Sequence, residues 1–284
     1  AEAIVAAMGL KLADLMPCDD RKPCPSPRAA TTAKKSGRRR KNDPSVYATA
    51  QDAIAELERR HGAHSAQWTY HDAAGESVGM IVRWDTAGDK DIRPVSKSAK
   101  GWIIGGMTEP RPLYRLPELL ARPDERVYVC EGEKAADAAA SIGLLASTSP
   151  HGCKSAKTAD WTPLAGRDVI ILPDNDDAGR KYARDVTSIL LKLVPAAKVR
   201  IVELPGLPPK GDIYDWVEAH DATEPDALRA QVEQLADATS PIDASEVLGG
   251  PILTCLADVE PVEVRWLWPG RIPLGRITLL VGRP

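Results

Sequence analysis

Apolar positions along the chain follow three patterns in turn. Over 3–15, Ile4, Val5, Met8, Leu10 and Leu12 give a short amphipathic helix; over 46–60, Ala50, Ile54 and Leu57 give another, with Gly62 placed to close it. From 66 to 106 the pattern is that of short strands. Segments 67–71 and 78–84 flank a turn ending at Gly75, 85–90 forms a second turn, and 92–95 and 102–104 follow, which predicts an antiparallel meander. From 127 onward strands and helices alternate. The strands are 127–130, 144–148, 169–172 and 199–204; the helices are 133–141 (ended by Gly143), 176–193 and 213–219. Continuously apolar strands between helices predict a parallel sheet covered on both faces. The fold class expected is therefore α/β, a Rossmann-like parallel sheet preceded by a small α+β subdomain. After about 240 the text is loop-rich up to a strand-like run, Ile277 to Val281.

The chain has 284 residues, enough for about two domains at ~150 residues each, and with 43 % hydrophobic residues it can bury a real core. No apolar run approaches the ~20 residues of a membrane span, and the opening AEAIVAAMGL lacks a signal-peptide layout. A membrane partner is not expected. The net charge of −3 hides an asymmetry. Residues 21–41 carry nine basic and no acidic residues, leaving 28 of the 37 basic residues to face all 40 acidic ones elsewhere. Such an arm is either a nucleic-acid contact or a solvated linker. The five cysteines are scattered, and Cys18 and Cys24 have no second pair beside them, so neither zinc nor a disulfide framework is expected here and a reduced, cytoplasmic protein is.

Candidate chemistry gathers at strand ends. Glu131 follows the first parallel strand, Asp174 and Asp176 the third, and Asp212 and Asp215 the fourth. In open α/β sheets ligands bind beyond the carboxyl ends of the strands, so these carboxylates converge on one edge. In an extended segment, Asp174 and Asp176 would lie about 6.6 Å apart on one side. They could share one hard cation or hold two ions the ~4 Å apart that phosphoryl chemistry favours. Crowded carboxylates without a cation raise one another's pKa, which makes Mg²⁺ or Mn²⁺ the expected neutraliser. Alternatively the aspartates are turn residues and helix caps, with Asp177 a candidate cap. Gly132 and Gly179 are expected to allow close backbone approach. His151 and Cys153, two apart with no third ligand, read as loop residues.

Residues 126–220 resemble a Toprim domain, the metal-binding catalytic module shared by bacterial and phage primases, type IA and II topoisomerases and certain nucleases. The resemblance rests on Glu131-Gly132 after the first strand, Asp174-Asn175-Asp176 after the third, and the helix-opening Ala178-Gly179. Gly211-Asp212-Ile213-Tyr214-Asp215-Trp216 resembles the Lys-Asp-x-x-Asp-Trp segment of phage and mobile-element primases, with Lys210 one place early. The resemblance implies that Asp174, Asp176 and Asp212 hold metal and that Glu131 is a further ligand or a proton shuttle. Lys134, in Glu-Gly-Glu-Lys, would meet a nucleotide phosphate or stand as an ordinary helix-face lysine. Topoisomerases need a nucleophilic Tyr on a separate large domain, and small nuclease-type Toprim proteins lack an upstream basic meander. Primases carry such a subdomain, and 46–122 fits the slot. Arg83, Arg93, Lys97, Lys100, Arg111 and Arg115, with Trp84 and Trp102, offer charge and stacking faces to a single strand; the other reading is a solvated sheet face over buried tryptophans.

The ends extend the resemblance. Trp266 to Gly275 resembles the lead-in to the RecA-like ATPase of replicative helicases, with Gly282 where the phosphate loop would begin, and 3–17 resembles the tail of a zinc-ribbon module. Zinc would then belong only to an upstream module. The expected organisation is a zinc-ribbon tail (1–17), a basic disordered linker (18–44), a small α+β subdomain (45–122), a Toprim catalytic domain (123–222), a helical and loop linker (223–260) and the start of a truncated ATPase (261–284). The expected function is DNA priming: a nucleotidyltransferase making RNA primers from NTPs on single-stranded DNA, with a helicase domain in cis. The alternatives are a non-priming Toprim DNA-binding accessory module of a replicative ATPase, or a Toprim nuclease.

Overall fold

The computed structural model describes residues 45–86, 89–150, 152, 155–248, 266–268 and 272–273. The helix expected at 3–15, the linker, the strand expected at 277–281 and the pairs Cys18/Cys24 and His151/Cys153 lie outside the described residues.

The first part consists of β1 (Val46–Tyr47), α1 (Ala50–His61), β2 (Ala66–His71), β3 (Ser77–Thr86), β4 (Asp89–Ser98) and β5 (Gly101–Ile104). Thr49 starts α1 by a reciprocal cap. Its hydroxyl accepts the Asp52 N–H at 3.1 Å, and the Asp52 carboxylate accepts the Thr49 N–H at 3.1 Å. The helix expected from 46 therefore begins at Ala50, and Val46 and Tyr47 instead pair antiparallel with β5. Gly62 closes it as expected. The antiparallel sheet runs β1-β5-β4-β3-β2. Its β3–β4 ladder reaches further than the expected turn at 85–90, pairing Asp85 with Lys90 and Thr86 with Asp89. Side chains alternate between the two faces. Met80, Val82, Trp84 and Val95 pack under Ala53, Ile54 and Leu57 of α1, while Trp68, Tyr70 and Ile81 pack with Met107 on the other side.

The second part contains α2 (Leu116–Ala121), β6 (Val127–Cys130), α3 (Glu133–Ser141), β7 (Ala146–Ser147), β8 (Asp168–Leu172), α4 (Asp177–Leu190), β9 (Lys198–Ile201), α5 (Ile213–Glu218), α6 (Pro225–Ala238) and α7 (Ala244–Leu248). The four strands form a parallel sheet in the order β7-β6-β8-β9. Val127, Val129, Val169, Ile171 and Val199 face α4, which contributes Tyr182, Ala183, Val186 and Leu190. Tyr128, Cys130, Ile170 and Leu172 face the other way, onto Ala135, Ala136 and Ala139 of α3 and Ile213 and Trp216 of α5. This is the expected parallel sheet covered on both faces. Beyond it, β10 (Trp266–Trp268) and β11 (Ile272–Pro273) pair antiparallel. No helix among the described residues is long and apolar enough to cross a membrane.

Within the stretch expected as a linker, α6 is part of the packed structure. Leu228, Val232 and Ala236, at helical spacing, are buried in the same cluster as α3 and α5. Leu228→Ala is accordingly expected to cost about 2–5 kcal/mol in urea unfolding of the metal-free protein. A loss near zero would make α6 an appendage.

Candidate functional site

Cys130 and Leu172 are register partners in β6 and β8, so Glu131 and Asp174 emerge side by side from adjacent strands. β9 lies on the far side of β8, and the chain returns from it to Asp212 at the start of α5. Asp174 sits at the centre. Its Oδ1 is buried and has no hydrogen-bond partner. Burial, and then the charges of Glu131, Asp212 and Asp176, push its carboxyl up to about 8, with the Lys90 ammonium acting in the opposite direction. Asp174 thus feels three of the four other carboxylates singled out from the sequence, all but Asp215.

Two of them are helix caps as well. Asp176 Oδ1 accepts the Gly179 N–H at 2.8 Å and opens α4. The cap is therefore Asp176 and not Asp177, which lies inside the first turn and pairs with Arg180 at 2.7 Å. Asp212 Oδ1 accepts the N–H groups of Tyr214 (2.7 Å) and Asp215 (3.3 Å), while Asp215 Oδ2 accepts the Asp212 N–H at 3.0 Å. Burial raises the Asp212 carboxyl, and those backbone bonds pull it back. Capping uses Oδ1 in both residues. The Asp174–Asp176 segment is not extended, as the spacing argument assumed. The Asp176 N–H bonds to Asp174 O at 2.8 Å, closing a three-residue turn at Asn175. Gly179 is required there, since a Cβ would sit 2.4 Å from Asp174 O. Gly132 has no such constraint: a Cβ on it would meet open space.

Among the described residues, no three His, Cys, Asp or Glu side chains are gathered tightly enough to hold an ion by themselves. Mg²⁺ does not need such a cage. It keeps several waters and takes one or two carboxylates together with substrate phosphates. An all-oxygen donor set around a buried, unpartnered Asp174 oxygen fits a hard dication on that pattern.

Lys134 stands at the rim, its Nζ 3.2 Å from the centroid of the Tyr214 ring, which links the first turns of α3 and α5. Its charge is felt by Asp212. Sequence reasoning missed Glu133. It is buried, its carboxyl is raised by that burial, and it accepts a 2.7 Å hydrogen bond from the Tyr70 hydroxyl. One turn on, Asp137 accepts from Trp68 Nε1 (2.8 Å) and the Tyr114 hydroxyl (3.0 Å). These bonds fasten α3 to β2, and the i, i+4 spacing of Glu133 and Asp137 was the available signal.

The basic residues of the meander do not share one surface. Val82 pairs with Arg93 and Arg83 with Ile92, so Arg83 and Arg93 project from opposite faces; Lys97 lies on the Arg93 side. Most hold a local carboxylate: Arg83 with Asp85 at 2.6 Å, Arg93 with Asp91 at 3.0 Å, Arg111 with Glu109 at 3.3 Å and Arg115 with Glu118 at 2.5 Å. Lys97 is 3.9 Å from Glu76, and Lys100 is exposed in the β4–β5 turn. Trp84 offers no stacking face. It is buried under α1, with its Nε1 donating to Gly62 O at 2.7 Å, and Trp102 packs half-buried against the same cluster.

No protein-family model matches the chain, and no curated protein matches it. Solved structures do. A DNA primase domain from Pseudomonas aeruginosa is similar at 21 % identity and a TM-score of 0.45, over 62 % of this chain and 51 % of that one. The Aquifex aeolicus primase, comprising zinc-binding and RNA polymerase domains, is similar at 16 % identity and 0.44, over 69 % and 51 %. A DnaG primase catalytic domain bound to ssDNA is similar at 17 % identity and 0.40, over 64 % and 53 %. The chain spans about half the length of these primase structures.

Proposed function

We propose that the carboxylate edge of the parallel sheet is the catalytic centre of a DNA primase. It would be a nucleotidyltransferase that joins NTPs on single-stranded DNA with Mg²⁺ or Mn²⁺, acting in the whole protein with a helicase domain in cis. The observation that carries this reading is Asp174: a buried, unpartnered carboxylate oxygen beside Glu131, Asp176 and Asp212, at the strand ends where α/β sheets bind ligands.

In the reaction the 3′-hydroxyl of one nucleotide attacks the α-phosphorus of the next triphosphate, forming a P–O bond while pyrophosphate leaves. A bound dication makes that hydroxyl easier to deprotonate and neutralises the leaving charge. The chain's own residues supply position and proton transfer. Asp174, Asp176 and Asp212 would hold the ion, directly or through its waters, and the capping bonds fix the last two in place. Glu131, emerging beside Asp174, takes the proton of the 3′-hydroxyl. Lys134, held over Tyr214, meets the negative phosphates.

The test is Mg²⁺-dependent incorporation of labelled NTPs on a single-stranded template by the full-length protein. Shortening of the template without incorporation would instead make this a nuclease, and neither reaction would leave a non-priming accessory module. If the arm at 34–41 contacts the template, deleting its six basic residues should flatten the dependence of log K on log salt by up to about 4. An unchanged slope in fluorescence-anisotropy titrations would make the arm a spacer.

A further inference from the structure

Asn175 stands between the two aspartates of the β8 turn, and its hydrogen bonds go to one distant segment. Its Nδ2 donates to Leu207 O at 3.0 Å and to Pro208 O at 3.1 Å. Its backbone N–H donates to Gly211 O at 2.8 Å, and its carbonyl accepts the Lys210 N–H at 3.0 Å. Four bonds therefore tie the residue flanked by Asp174 and Asp176 to the stretch that leads into Asp212. That stretch is held in a costly shape. Lys210 has φ +66, a left-handed conformation that non-glycine residues keep only with outside support, and the Gly211 N–H folds back onto Pro208 O at 2.9 Å. Directly after it, Asp212 caps α5. Asn175 is exposed and contributes nothing to either apolar cluster of the parallel sheet. Its bonds serve the relation between two loops, each bearing carboxylates of the edge.

We propose that Asn175 is a positioning residue that holds Asp212 in register with Asp174 and Asp176, and so sets the affinity of the edge for a divalent cation. The proposal rests on the reading of that edge as a cation site. Asn175 touches neither ion nor substrate; it acts through the backbone of 207–211. An amide is suited to this because its NH₂ offers two donors to two carbonyls while its backbone bonds the same segment. Asn175→Asp would point a carboxylate at Leu207 O and Pro208 O, and Asn175→Ala would leave both to water.

The two variants, in the full-length protein, separate geometry from charge. Metal-free amide exchange at Lys210 and Gly211 should quicken in both, with the melting temperature close to wild type. Mn²⁺ affinity, read from the loss of the free-ion paramagnetic signal, should fall about tenfold or more in both, the size usual for residues that orient ligands. Asn175→Asp is the sharper arm, since it adds a negative charge beside the site and still should bind more weakly. Tighter binding by Asn175→Asp, or Mn²⁺ affinity within about twofold of wild type in both variants, would overturn the proposal and make Asn175 a loop staple. Wild-type protein that takes up no Mn²⁺ would overturn the cation reading and this proposal with it, a failure seen before any variant is measured.

Discussion

Glu131→Gln in the full-length protein is expected to lower template-directed dinucleotide synthesis by ~10²–10⁴-fold, the usual share of a positioned proton acceptor, and to leave the fold intact. The substitution keeps size and shape but removes the negative charge and, with it, the capacity to take a proton. Glu131 follows β6, whose four residues are all buried, and its own side chain emerges half-buried at the strand end, so the core is untouched. Removing its charge also relieves Asp174, whose carboxyl it pushes upward. The variant should therefore melt no lower than wild type while losing activity, a pairing that general destabilisation does not produce. The loss should fall on kcat and leave KM for NTP little changed, because the group acts on the hydroxyl and not on the triphosphate. Single-turnover extension and thermal melts on the same preparation decide the matter. Priming at the wild-type rate would remove Glu131 from catalysis and place the proton acceptor on another group.

The parallel sheet was legible because buried parallel strands are apolar throughout and the helices between them are amphipathic, two signals that agree over 127–219. Its strand ends then located Glu131, Asp174, Asp176 and Asp212 without any knowledge of side-chain contacts. Features decided by a second segment were read less well. Val46 and Tyr47 are apolar and precede a helix, yet they pair with β5; the Thr49-x-x-Asp52 box that starts the helix later is present in the sequence. Trp84 alternates correctly along β3, but only the tertiary position of α1 shows that its face is the covered one. Period-two alternation likewise sends Arg83 and Arg93 to opposite faces once the β3–β4 register is known, and no local pattern contains that register. Asn175 left no local signal at all, because its partners lie more than thirty residues away. In α6 the signal existed, Pro225 in the first turn and Leu228, Val232 and Ala236 at helical spacing, and agrees with a helical linker; only its partners in α3 and α5 show that this face is buried.

Asp174→Asn is expected to stabilise the metal-free protein at pH 8 by about 2–5 kcal/mol and to weaken sharply its stabilisation by divalent cations. The wild-type carboxyl titrates near 8 in the folded chain, against an ordinary 3.8. Between those values the folded chain keeps a proton that the unfolded chain has released, so wild-type stability falls as pH rises from about 4 to about 8. Below that window both states are protonated and the group costs nothing; above it the folded chain carries the buried charge and the cost is complete. Some four units at about 1.36 kcal/mol each set the upper limit, which side-chain relaxation and proton sharing with Glu131, Asp176 and Asp212 reduce. Asparagine cannot ionise, so the variant should show a flatter pH profile, with a melting temperature above wild type at pH 8 and close to it at pH 4. Mg²⁺ or Mn²⁺ should reverse the order. A dication bound to the folded state alone raises wild-type stability with its concentration, and the variant, lacking the central carboxylate, should respond weakly. Calorimetric melts at pH 4 and pH 8, with and without the cation, resolve both effects. Parallel pH profiles for wild type and variant would show that Asp174 carries no buried charge, and an equal cation response in both would place the ion, if one binds, away from this residue.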